Sequence, residues 1–310
     1  MSTILSITLP IYLLIGLGFL TVRSGYVAGD HVKALSAFVV RVALPALIFL
    51  AVGTADPAEV LHRGLFLAYL GGSGALFLTS VVVGRFVLRQ RWSLVGLAAL
   101  GVTGSNSAFV GFPLLSILFP EQAVTTFAVA MLVENALLIP LALAIAGAGE
   151  RTEGTALTGL LNGLKGLAGN PIFLSLLAAL AWSQLGVTLP DPLMRPIEML
   201  RPVAGPVALF AVGGTVAGAT SFRGIARPAI LIALGKLVLH PLAFFGAAMM
   251  VPDLPADLRL AGLINAACPM MALFSIFGIT FGRGVMTSAT LLVTTMASFA
   301  TISALLWLLG

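Results

Sequence analysis

The hydrophobic and polar positions of the chain alternate between long apolar runs and short polar connections. A hydrocarbon core of about 30 Å requires roughly 20 apolar residues in helical form. The pattern therefore predicts an all-α, multi-pass membrane protein with ten transmembrane segments. These segments are 4–22, 33–53, 64–88, 92–118, 123–147, 170–187, 199–219, 226–250, 258–281 and 285–309.

Two of these segments carry residues that disrupt a helix near its middle. Segment 4 contains Gly104-Ser-Asn-Ser-Ala-Phe-Val-Gly-Phe-Pro-Leu-Leu115, where we take Gly111 and Pro113 as the helix-breaking residues. Segment 9 contains Ile264-Asn-Ala-Ala-Cys-Pro-Met-Met-Ala-Leu-Phe-Ser275, where Pro269 is the expected break. Freed backbone groups are costly in hydrocarbon, so such breaks are tolerated mainly where they line a cavity. Two interrupted helices in matching halves indicate the binding site of a secondary transporter.

The two halves of the chain repeat each other's motifs at a steady separation. Leu9-Pro-Ile-Tyr12 matches Asn170-Pro-Ile-Phe173, and residues 43–54 resemble residues 204–215, both 161 positions later. Each half holds five segments, and an odd number requires the second half to be inverted in the membrane. We therefore predict a 5+5 inverted repeat. Its parts are a first repeat over 1–147, a central cytoplasmic loop over 148–169 and a second repeat over 170–310.

The composition agrees with a membrane location. The chain is 59% hydrophobic and 9% charged, whereas soluble domains carry about 25% charged residues. A net charge of +5 would suggest nucleic acid in a soluble protein, but here we expect no nucleic-acid partner, because basic loop residues set membrane orientation. One set of predicted loops holds ten lysines and arginines and the opposite set holds four. The richer side should be cytoplasmic, which places both termini outside an inner (plasma) membrane.

Polar side chains at the two breaks are the candidate substrate ligands. Asn106 comes first, because its amide can donate to a carboxylate and the helix end formed by a break attracts anions. Ser105 and Ser107 add hydroxyl groups, and Asn265 takes the corresponding place in segment 9. The alternative is that these side chains only satisfy the interrupted backbone.

Charged residues within segments 5 and 8 form a second candidate group. Glu134 and Asn135 lie in the middle of segment 5, and Lys236 lies about ten residues into segment 8. An unpaired charge at this depth is expensive, so we predict a Glu134–Lys236 ion pair with either a coupling or a structural role. His240 lies one turn after Lys236 on the same face, although packed histidines are more common than proton relays. Arg41 is expected to snorkel to the cytoplasmic surface of the membrane rather than to act as a substrate ligand.

With these features the sequence resembles the auxin efflux carrier family, the bacterial relatives of plant PIN carriers. The resemblance rests on residues 106–113, the Pro269 break and Lys236-Leu-Val-Leu-His-Pro241. It implies a fold like those of sodium/proton antiporters and bile-acid symporters, in which segments 4 and 9 cross at midplane. It also implies a mobile domain of segments 3–5 and 8–10, a scaffold of segments 1, 2, 6 and 7, and a homodimer. The implied substrates are small organic anions such as malonate, malate and auxin.

The predicted function is secondary active transport of a small mono- or dicarboxylate by alternating access. We expect no cofactor apart from a coupling proton or sodium ion. Two alternatives are a sodium- or proton-coupled carrier of another substrate, including a cation/proton antiporter, and a membrane ligand sensor. The two breaks contain no carboxylate, which weighs against an antiporter, although Glu134 keeps that alternative open. An enzyme is not expected, because no metal-ligand spacing or nucleophile–base motif is visible.

Overall fold

A computed structural model of the protein describes residues 2–54, 61–148, 169, 171–185, 187, 189–218 and 227–309. Every regular element in these residues is a helix. The helices are α1 (Ser2–Arg23), α2 (Gly29–Gly53), α3 (Arg63–Val87), α4 (Trp92–Thr103), α5 (Ser107–Leu118), α6 (Ala123–Gly147), α7 (Pro171–Leu185), α8 (Asp191–Gly218), α9 (Arg227–Met249), α10 (Ala256–Ala267), α11 (Leu273–Thr280) and α12 (Gly284–Leu309).

Six of the described helices are long and apolar enough to cross a membrane, namely α2, α3, α6, α8, α9 and α12. The protein is therefore an all-helical, multi-pass membrane protein. The count of ten spans and the inverted repeat stay predictions. The central loop predicted over 148–169 lies outside the described residues, apart from its two end positions.

The start of α8 differs most from the predicted segment boundary. The helix begins at Asp191 rather than at residue 199. Its first turns contain the charged residues Asp191, Arg195 and Glu198, so a search for apolar runs passes over them. An acidic residue in the first turn nevertheless favours a helix start, because it complements the helix dipole.

Both predicted interruptions are present, but their positions are only partly as expected. Helical structure stops at residues 104–106 between α4 and α5, and at residues 268–272 between α10 and α11. Pro269 lies within the second break, as predicted. The prediction for Gly111 and Pro113 was wrong, because both residues lie in the helical backbone of α5.

Proline widens these helices instead of ending them. Four of the five π-helical turns in the described residues are followed, two positions later, by a proline. The pairs are Val39–Ala43 with Pro45, Ser107–Gly111 with Pro113, Glu134–Leu138 with Pro140, and Gly235–Leu239 with Pro241. A proline ring clashes with the carbonyl four residues earlier, and in each pair that carbonyl belongs to the π-turn. Such turns occur frequently at functional sites.

The buried apolar residues form two cores. The first joins α1, α2, α7 and α8, with α5 packed against them. The second joins α3, α4, α9 and α11. The two breaks lie where the cores meet, because α4 belongs to the second core and α5 to the first, and Cys268 belongs to the first core and Met270 to the second.

Helices α3 and α9 approach each other closely at Gly72. A Cβ atom on Gly72 would lie 2.7 Å from the Ala243 carbonyl oxygen and from the Phe244 Cα. This approach places the polar side chains of α3 directly against α9.

We expect Gly72→Ala to lower the apparent melting temperature of the purified protein. Overpacking of this kind costs about 1–3 kcal/mol. Here the neighbouring atoms belong to the backbone of α9, which cannot adopt another rotamer. Gly246→Ala is the matched control on α9, since no atom lies within 4 Å of its added Cβ and alanine favours a helix. Thermal unfolding in detergent measures both variants, and equal shifts would contradict the packing argument.

Candidate functional site

The two breaks hydrogen-bond to each other through their backbones. The Asn106 N–H donates to the Pro269 carbonyl at 2.7 Å, and the Met271 N–H donates to the Gly104 carbonyl at 3.3 Å. Together they form a short antiparallel bridge. Each break therefore satisfies backbone groups of the other, which makes both tolerable in a water-free interior.

The second half of each interrupted helix begins at this crossing. Asn106 caps α5, because its Oδ1 accepts a hydrogen bond from the Phe109 N–H at 3.3 Å. The first turns of α5 and α11 both line one large cavity. A helix N-terminus carries partial positive charge and free N–H groups, so the crossing presents two positive helix ends to the same space.

The cavity beside the crossing has a volume of about 630 Å³, within the usual range for small-molecule sites. It runs from the crossing toward the ends where α2 and α7 begin and where α6 and α11 finish. Its polar wall consists of Ser36, Arg41, Ser105, Asn106, Ser107, Glu134 and Asn135. A second cavity of about 420 Å³ lies farther along α5, against Pro113, Pro202 and Pro206.

The Glu134 carboxylate is held by three donors at the edge of the large cavity. It accepts from the Tyr69 hydroxyl at 2.8 Å, from the Ser105 N–H at 3.0 Å and from the Ser107 hydroxyl at 3.3 Å. Glu134 is only 1% exposed. Such charge-assisted bonds are what a buried carboxylate requires.

The Lys236 ammonium is fully buried on the other side of Ser105. Its Nζ donates to the Ser105 Oγ at 2.7 Å and to the Ala266 carbonyl at 2.9 Å, and lies 2.7 Å from His240 Nδ1. An ammonium has three N–H donors, which match these three acceptors when Nδ1 carries no proton. The remaining ring nitrogen of His240, Nε2, can then donate to the Ser73 hydroxyl at 2.8 Å.

The predicted direct ion pair between Glu134 and Lys236 was wrong. Within the described residues, the only ion pair shorter than 4.0 Å joins Lys33 to Asp30. Ser105 stands between the two charges, giving its N–H to Glu134 and accepting from Lys236 at its Oγ. The break itself supplies these polar groups, so each charge is satisfied without direct contact and the network has no net charge.

Asn265 lies behind the cavity rather than in its wall. It is 0% exposed, and its Nδ2 donates to the Tyr69 Oη at 2.9 Å and to the Ser107 Oγ at 3.1 Å. Asn265 thus holds two of the side chains that hold Glu134. Its Oδ1 has no hydrogen-bond partner among the described residues and lies against Gly111, where a Cβ would collide with it.

Sequence reasoning missed Tyr69 and Ser73 of α3. Tyr69 is fully buried and bonds Glu134 and Asn265, while Ser73 bonds His240. The available signal was a tyrosine and a serine one turn apart inside an apolar segment, since polar groups at this depth are usually functional.

Two paired helix breaks beside a small-molecule cavity are typical of membrane transporters. The chain belongs to the membrane transport protein family, the family of the auxin efflux carriers, whose model matches residues 3–308. The chain is also 29% identical over 316 residues to the "Putative malonate transporter" of Rhizobium meliloti (strain 1021), covering 100% of this chain and 97% of that protein. Family and relative therefore indicate a transporter and not an enzyme.

We expect Lys236→Met to destabilise the protein by about 3–5 kcal/mol, because it leaves the buried Glu134 charge without compensation. Adding Glu134→Gln should restore part of this loss, since the two charges are coupled through Ser105. Lys33→Met is the control, because its ion pair is exposed on both sides and should leave the melting temperature unchanged. Thermal unfolding of the single and double variants tests the coupling, and strictly additive losses would contradict it.

Proposed function

We propose that the protein is a secondary active transporter of a small organic anion, a mono- or dicarboxylate. The observation that best supports this is the meeting of two helix N-termini at one cavity, with Asn106 beside them. Helix N-termini are ready anion sites, and the amide nitrogen of Asn106 makes no hydrogen bond to another described residue, so it is free to donate to a carboxylate. The name of the Rhizobium relative supports malonate as a first compound to test.

We propose ten spans in a 5+5 inverted repeat, with repeats at 1–147 and 170–310 joined by a cytoplasmic loop at 148–169. One interrupted helix in each half, α4–α5 in the first and α10–α11 in the second, supports this proposal. Both termini are then outside the inner membrane, and the large cavity opens to the cytoplasm. The family resemblance supports a homodimer.

We propose that the protein works by alternating access, and the division of the buried apolar residues into two cores supports this. The mobile domain consists of segments 3–5 and 8–10, which contain α3–α6, α9–α12 and both breaks. It moves against α1, α2, α7 and α8 and carries the crossing between the large cavity and the 420 Å³ cavity. A substrate can drive such motion only by binding the two states with different affinity.

The Glu134 network is the candidate for coupling to a proton or a sodium ion. Glu134 reaches the cavity wall, and its partners Ser105 and Ser107 belong to the break and to the start of α5. A change of charge on Glu134 would therefore act directly on the geometry of the crossing. This position also supports the second candidate, a sodium- or proton-coupled carrier of another substrate on the same fold.

We expect Asn106→Asp to abolish uptake of labelled malonate into proteoliposomes. Asparagine and aspartate cap a helix about equally well, so the fold should persist while the added negative charge repels the anion. Asn106→Ala should also abolish uptake, with a melting temperature only slightly lowered. Ser183→Ala on α7, whose hydroxyl bonds only the Leu180 carbonyl among the described residues, is the control. Normal uptake by either Asn106 variant would contradict a binding role, and uptake by the wild type without other proteins would exclude a sensor.

We expect Glu134→Gln to change the dependence of uptake on an imposed pH or sodium gradient. The glutamine keeps the shape of the side chain but cannot change its charge. Initial uptake rates are measured with each gradient in turn. An unaltered gradient dependence together with a lowered melting temperature would show that the Glu134 network is only structural.

A further inference from the structure

Arg41 lies in the middle of a membrane-length helix. It is the thirteenth of the 25 residues of α2, Gly29–Gly53, and lies in the π-turn Val39–Ala43. Counted from residue 33, where the predicted segment begins, Arg41 lies eight residues, or about 12 Å at 1.5 Å per residue, into the segment. The Arg41 side chain is exposed and lines the large cavity. Its snorkelling to the cytoplasmic surface stays a prediction.

The guanidinium of Arg41 has no compensating group in the described part of the chain. The only ion pair found there is Lys33–Asp30, and Arg41 makes no hydrogen bond to another described residue. The one carboxylate in the cavity wall, Glu134, is already held by three donors and balanced by Lys236 through Ser105. The cavity wall therefore carries one excess positive charge, on the exposed side chain of Arg41, and a positively charged wall attracts anions.

Arg41 is also separate from the anion site proposed at the crossing. The helix ends and Asn106 belong to the interrupted spans, whereas Arg41 belongs to α2 in the first core. One cavity thus offers two positive features on different elements. A monocarboxylate has a single carboxylate for these two features, whereas a dicarboxylate has one for each.

We propose that Arg41 binds the second carboxylate of the substrate and is the residue that selects dicarboxylates over monocarboxylates. The planar guanidinium can form two parallel hydrogen bonds to a carboxylate, and Ser36 and Asn135 lie in the same wall. This inference rests on the proposed transport of organic anions and names the substrate class of that same site.

The test compares malonate with propionate, which has the same number of carbon atoms and one carboxylate fewer. Thermal shift and competition for uptake give the apparent affinity of each compound for the wild type and for Arg41→Gln. We expect Arg41→Gln to weaken malonate binding at least about 30-fold and propionate binding less than about threefold. Arg41→Lys should give an intermediate malonate affinity, because lysine is a point charge without the planar fork.

Three outcomes separate this inference from the proposed function. If Arg41→Gln leaves the malonate-to-propionate ratio unchanged while Asn106→Asp still abolishes binding, Arg41 does not select dicarboxylates and only this inference fails. If neither acid binds the wild type, the proposed function fails as well.

Arg63→Gln, at the start of α3 and outside the cavity, controls for loss of an arginine. If Arg41→Gln does not fold, the test uses Arg41→Lys, which retains the charge. A preference for malonate as strong as that of the wild type in Arg41→Lys would overturn the role of the planar guanidinium.

Discussion

The backbone pairing of two interrupted helices is the interaction on which the rest of the structure depends. In a water-free interior the free N–H and C=O groups of a break must find partners, and here each break finds them in the other. The pairing fixes where α5 and α11 begin and brings both helix ends to one cavity. It also places Ser105 and Ser107 where side chains from α6 and α9 can reach them.

The buried charges are organised around this pairing and not around each other. Glu134 and Lys236 both bind Ser105, one through its backbone and one through its side chain. Tyr69 and Asn265 complete the shell around the carboxylate, and His240 completes the shell around the ammonium. Ser105 belongs to the first break and bonds both charged groups. A movement of that break therefore changes the hydrogen bonds of both charges.

The sequence was sufficient for the features that depend on local chemistry. Runs of apolar residues predicted the helices, and the polar run around Asn106 and the proline at 269 predicted the two breaks. The prediction that Pro113 breaks the helix was wrong because a π-turn can accommodate a proline inside a long helix. Hydropathy does not distinguish such a proline from one that lies at a break. The roles of Tyr69, Asn265 and Arg41 depend on which helix faces which. That is a tertiary property, and periodicity within one segment does not contain it.

The π-turns give these helices an unusual way of changing. A π-turn adds one residue to a turn without changing the direction of the helix, and one residue corresponds to about 100° of rotation. Arg41, Glu134 and Lys236 all lie in such turns, each followed by a proline. A charged side chain in such a turn therefore points in a direction that depends on the one extra residue of the turn. Pro45 and Pro140 do not line the large cavity, but through these turns they help to set the direction of Arg41 and Glu134, which do.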